Sequence, residues 1–118
     1  VDAVREAVLV HGEAIVLANA RFAALLGRDA ATLAGRRLEE FVAPEYAEFV
    51  AANVRRRRAG EPAPERFEVE VADAHGQVTR LELTGRAAEY RGERAVLYTA
   101  VEMLGPVVEP ARSRAQST

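Results

Sequence analysis

Extended apolar runs stand at both ends of this sequence, and helical punctuation fills the middle. Ala7-Val8-Leu9-Val10 and Ala14-Ile15-Val16-Leu17 are short, partly β-branched runs parted by His11-Gly12-Glu13. Such a pair predicts two strands joined by a tight turn, with Gly12 available for a positive φ. Towards the other end, Phe67, Val69 and Val71 alternate with Arg66, Glu68 and Glu70, the period of a half-buried strand. Asp73-Ala74-His75-Gly76 then reads as a turn. Val78 to Tyr90 and Ala95 to Met103 read as two longer strands joined at Arg91-Gly92-Glu93. A chain of 118 residues is one domain's worth, so the strands of both ends are expected to share one sheet. The order predicts an α+β fold, a five-stranded antiparallel sheet with helices on one face.

The middle is marked by its caps. Asn19 is placed to cap a short helix from Ala20, because its side-chain oxygen accepts from free N–H groups of the first turn. Phe22, Leu25 and Leu26 share one face of that helix, and Gly27 stands where a left-handed end belongs. Asp29 caps a second turn from Ala30 to Leu33, closed by Gly35. Arg36 to Val42 reads as a further short helical piece with Leu38, Phe41 and Val42 on its apolar side. Pro44 suits the first position of a longer helix, where its missing N–H costs nothing. Glu45 and Glu48 lie near the positive end of that helix dipole and Arg55 to Arg58 near the negative end. Tyr46, Phe49, Val50, Asn53 and Val54 form one inward stripe. Gly60-Glu61-Pro62-Ala63-Pro64 ends the helix as a loop.

Composition narrows the chemistry. Apolar types make up 49% of the chain and charged types 29%, enough to bury a core without disulfides or metals. Cysteine is absent, which removes thiolate metal sites, Cys nucleophiles, cysteinyl-flavin adducts and thiol-linked chromophores. The net charge is −2, against a dedicated nucleic-acid binder. No apolar run approaches the ~18 residues of a membrane helix. No signal peptide is visible, so a cytoplasmic setting is expected. The chain begins at Val1 rather than Met, as an excised piece of a longer protein would.

Taken together, these signals resemble the PAS domain. The likeness runs from Val10-His11-Gly12-Glu13-Ala14-Ile15-Val16-Leu17-Ala18-Asn19 through Phe22, Leu25-Leu26-Gly27, Leu33-Ala34-Gly35, Phe41-Val42 and Pro44-Glu45. It continues in Asp73-Ala74-His75-Gly76, Leu81, Leu83 and Tyr90-Arg91-Gly92. It implies a PAS-like domain over 1–104, followed by a flexible tail or linker over 105–118. It implies a sensing and association module of a larger signal-transduction protein, not an enzyme. Such a module joins an output domain in the parent chain and pairs through the outer face of its sheet. Many members hold a small molecule between the sheet and the long helix. Here a small apolar or weakly polar ligand would meet Leu26, Tyr46, Phe49, Val50, Asn53 and Thr99. The alternatives are a purely associative module with a filled core, and a small α+β enzyme with a cone-shaped pocket. No cofactor is expected, and haem held by a His of the long helix is disfavoured because residues 44–58 contain none. Glu102-Met103-Leu104 stands where many members carry Asp-Ile-Thr, so the hydroxyl of that junction is missing.

Several residues have a plainer reading. His11 and His75 each precede a glycine and read as polar turn residues rather than metal ligands. The cap explains Asn19. Asn53 sits on an apolar stripe, where a buried amide needs partners or costs about 1–3 kcal/mol. A ligand, a backbone carbonyl or a water would each serve. On the last strand either Leu97, Thr99 and Val101 face the helices, or Tyr98 does. The four consecutive arginines read as a solvated helix end. Residues 7–10, 14–18 and 95–101 are apolar on both faces, so the sheet's outer face is expected to be covered by a second copy of the domain or by a helix N-terminal to Val1, with the two-fold pair favoured.

Overall fold

The computed structural model describes residues 6–73 and 75–103. Its strands are β1 (Ala7–His11), β2 (Ile15–Ala18), β3 (Arg66–Ala72), β4 (Val78–Tyr90) and β5 (Glu93–Glu102). Two α-helices, α1 (Ala20–Leu25) and α2 (Pro44–Ala59), lie between β2 and β3, with 3-10 turns at Ala30–Thr32 and Leu38–Glu40. The strands form one antiparallel sheet in the order β2-β1-β5-β4-β3. Pairing of β1 with β5 sets Leu9 opposite Tyr98 and Ala7 opposite Ala100. The α+β architecture expected from the sequence is the one that forms, with both helices packed on one face. The junction at Leu104 and the tail from 105 onwards lie outside the described residues.

Local chemistry explains most of the elements. Asn19 Oδ1 accepts from the Phe22 N–H at 2.9 Å and from the Val8 N–H at 3.1 Å, and Nδ2 donates to the Glu6 carbonyl at 2.6 Å. One amide thus starts α1 and ties its first turn to β1. Pro44 opens α2, and Gly60, at φ 78°, closes it in the left-handed region. Asp73 Oδ1 accepts from the N–H groups of His75 and Gln77, which shapes the turn into β4 and holds its carboxyl below the usual range.

Several boundaries differ from expectation, among them the start of β5, which pairs from Glu93 rather than from Ala95. β1 runs on to His11, which pairs with Val96, so His11 belongs to the strand and not to the turn. β2 starts at Ile15, and the register slips between Val10 and His11, leaving Val16 as an extra, bulged residue. The helical piece expected over 36–42 shrinks to Leu38–Glu40, because sheet edges hold both of its ends. At one end the Ile15 N–H donates to the Arg36 carbonyl at 2.7 Å, and Gly35 donates to Ile15 at 2.8 Å. At the other, Val42 bridges to Val71 and the Ala43 N–H donates to Glu70 at 2.7 Å. The connecting segment therefore crosses the sheet and engages the backbone of both edge strands, β2 and β3.

The inner face carries Leu9, Val69, Leu81, Leu83, Val96 and Tyr98, all essentially inaccessible, against Phe22, Leu26, Leu33 and Val50. Each such side chain contributes about 1.5–3 kcal/mol by leaving water. The outer face is divided. On β1, β2 and β5 it presents Val8, Val10, Leu17, Leu97, Thr99 and Val101, with Leu17 39% and Val101 62% exposed. On β3 and β4 it presents Arg66, Glu68, Glu70, Arg80, Glu82 and Arg86, including an Arg80–Glu70 ion pair at 3.4 Å.

Candidate functional site

The space between α2 and the sheet centres on Tyr98. Its ring lies over Gly85 of the neighbouring strand, where a Cβ would stand 2.6 Å from Tyr98 Cε1. Only a glycine leaves room there. The Tyr98 hydroxyl donates to Asn53 Oδ1 at 2.6 Å, and Asn53 Nδ2 donates to the Pro64 carbonyl at 2.8 Å. One helical turn further, Arg57 donates from Nη2 to the Ala63 carbonyl at 2.6 Å. The loop after α2 is thus fastened to the helix by two side chains, and through Tyr98 to β5. Burial pushes the Tyr98 phenol well above its ordinary range despite the opposing charge of Arg57, so it stays a neutral donor. Arg57 Nε is buried with no partner among the described residues.

An edge-to-face aromatic row leads outward from this network. Phe67 lies 6.4 Å from Tyr98, and Phe49 lies 5.0 Å from Phe67, centroid to centroid. Phe49 is 44% exposed and forms one wall of an open cleft of about 180 Å³ with Ala52, Asn53, Arg56, Ala63 and Pro64.

The residues expected to share a pocket are dispersed. Leu26 and Val50 are buried core side chains, and Tyr46 is half-buried against that core. Asn53 and Phe49 do meet, at the small cleft. The inward stripe of α2 is rotated from the expected one, with Val50, Asn53 and Val54 buried and Phe49 at its outer border. Thr99 lies away from these residues: β5 turns Val96, Tyr98 and Ala100 inward, which sends Thr99 to the outer face between Val8 and Thr84. Of the two registers open in the sequence, the one with Tyr98 inside forms. The arginine run is not simply a solvated end, since Arg57 holds the loop and Arg58 Nε donates to the Arg94 carbonyl at 3.2 Å.

Sequence reasoning missed Tyr98 as the centre of the network, and Gly85 was the available signal. A glycine inside an otherwise regular strand marks a close approach. It also missed His11, whose ring is buried with both nitrogens engaged. Among the described residues no group of three or more His, Asp or Glu side chains is placed to hold a metal ion. No described helix is long and apolar enough to cross a membrane.

Comparisons with known proteins agree with this geometry. The PAS domain of an HTR-like protein from Haloarcula marismortui is 25% identical, with a TM-score of 0.66 over 83% of this chain and 81% of that one. The PAS domain of a LuxR-family transcriptional regulator from Burkholderia thailandensis, solved in complex with ethanol, is 17% identical, with a TM-score of 0.65 over 85% and 90%. The LOV domain of a blue-light-activated histidine kinase from Erythrobacter litoralis is 16% identical, with a TM-score of 0.65 over 83% and 95%. No curated protein matches this chain by sequence. Residues 6–101 fit the PAS fold as a family, the greater part of the chain, and the chain belongs to the PAS family.

Proposed function

We propose that this domain is a non-enzymatic sensory or regulatory module of a larger, cytoplasmic signalling protein, and that two copies pair through the outer face of β2, β1 and β5. The observation that carries the reading is the divided outer face. Val8, Val10, Leu97 and Val101 form an apolar patch beside a charged half on β3 and β4. A two-fold pair over the apolar half removes it from water and leaves the ion pairs solvated. An output domain elsewhere in the parent chain reads the paired state. Sedimentation of the 118-residue chain over a concentration series is the test. A concentration-dependent dimer is expected, and a monomer persisting at high concentration overturns the pairing.

A bulky cofactor between the sheet and α2 does not fit the side chains present. Tyr98 lies over Gly85 in that space, and the Asn53 amide is committed to Tyr98 and Pro64. The chain has no cysteine for a flavin adduct. A second reading rests on the cleft at Phe49: about 180 Å³ with an aromatic wall and a cationic Arg56 suits a small apolar or weakly polar molecule. Native mass spectrometry of the purified domain decides between a bare polypeptide and one carrying such a molecule.

A further inference from the structure

Of the two histidines, His75 is exposed in the turn between β3 and β4, while His11 is 1% exposed at the end of β1. The His11 ring is engaged on both sides. Nε2 accepts from the Leu38 backbone N–H at 3.1 Å, and Nδ1 donates to the Gly12 carbonyl at 2.8 Å. A backbone N–H facing Nε2 defines a neutral ring with its proton on Nδ1. Leu38 opens the 3-10 turn at Leu38–Glu40, and its side chain is fully buried. The ring of His11 is thus the sheet's hold on the first N–H of a turn that packs against α2.

We propose that His11 is a proton-operated latch: a proton taken up at Nε2 sets an N–H against the Leu38 N–H and releases the 38–40 turn from the sheet. The surroundings are suited to it. Arg37 and Glu39 face the ring from the turn, Arg55 and Arg58 from α2, and Glu13 from the turn after β1. Its register partners on the neighbouring strands, Val96 and Ile15, do not titrate, and Arg94 of β5 is hydrogen-bonded to Arg58. The charged side chains that face the ring line, together with His11, an open cleft of about 440 Å³, the route by which a proton and a following water would enter. Burial, more than the flanking Arg58 and Arg37, holds the ring neutral, while the bond to the Gly12 carbonyl and then Glu39 pull the other way. Releasing the turn withdraws Leu38 from the core beside α2, so proton uptake at the end of β1 is transmitted to the long helix. The chain holds only two histidines and no cysteine, so with His75 replaced His11 is the one remaining side chain whose ordinary pKa lies between about 5 and 8.

The test is amide exchange and ring-nitrogen NMR on the full 118-residue chain carrying H75Q, between about pH 7.5 and about pH 5. His11 should titrate. In step with it, the Leu38 and Phe41 amides should lose about tenfold in protection after correction for intrinsic exchange, while Leu9 and Tyr98 keep theirs. Adding H11Q, whose side-chain oxygen can accept from Leu38 without titrating, should flatten the response. Should that variant not fold, the coincidence of the two curves in the H75Q chain carries the test alone. The proposal fails if Leu38 protection stays flat, if it falls with H11Q in place, or if all amides lose protection together.

Discussion

Tyr98 and Thr99 are neighbours on β5, and the pleat sends them to opposite faces. The inward one decides the interior, because its hydroxyl and Asn53 satisfy each other in a place without water. Tyr98→Phe keeps the ring and strands Asn53 Oδ1. It should cost about 1–3 kcal/mol, read as a lower urea midpoint at an unchanged m-value. His11 yields a pH prediction of definite sign. Burial lowers its folded-state pKa below the ordinary 6.5, so as pH falls the unfolded chain binds the proton first. Its contribution is therefore complete above about pH 6.5 and is lost as pH drops below that, with a slope of at most about 1.4 kcal/mol per pH unit. Urea midpoints at about pH 7.5 and about pH 5.5 should show the loss, and H11Q should reduce it. Neither role was legible in the sequence. Thr99 and Tyr98 fit a pocket equally well on paper, and a histidine before a glycine looks the same whether a strand or a turn contains it.

The elements themselves were legible wherever a side chain bonds its own neighbourhood. As caps, Asn19, Pro44 and Gly60 act within a few residues of themselves, and α1 starts, and α2 starts and ends, where they say. Asn19→Ala removes the cap of α1 together with the bonds to Val8 and Glu6. A loss of about 1–2 kcal/mol in thermal or urea stability is expected from the cap alone. Asn19→Asp should recover part of it, because the carboxylate keeps the acceptor for Phe22 and Val8 but not the donor to Glu6. The piece over 36–42 shows the limit of such reasoning. Its apolar spacing is helical, but Arg36 and Ala43 are claimed by the strands they cross, and only one 3-10 turn survives between them. The stripe of α2 was misjudged at Phe49 for a related reason. A period of 3.6 admits a slightly rotated face, and the choice is made by Tyr98 and Phe67 beneath it.

At the scale of the molecule, the sheet is made by residues more than ninety positions apart, with Ala7 opposite Ala100. That closure places the most apolar strands, β1 and β5, side by side and puts their outer side chains into one patch. Charge introduced into the patch should therefore act differently from charge introduced beside it. Leu97→Glu should break a dimer in sedimentation while the monomer's circular dichroism stays native. Glu82→Lys, on the charged half of the same sheet, should leave the dimer in place. Equal effects of both, or of neither, would argue for another contact surface. The apolar character of the patch could be read from the run at 95–101, whereas its confinement to one half of the sheet could not.

The amino-acid order by itself determined the kinds of element, their succession, their caps and the family to which they point, because these depend on periodicity and on hydrogen bonds between near neighbours. Only the tertiary structure decided which side of β5 faces the helices, that His11 is buried, and that Asn53 is occupied by Tyr98 and Pro64. Each of these is a choice between partners far apart along the chain. One step of strand register exchanges every inward side chain for an outward one, and no local propensity separates the two outcomes.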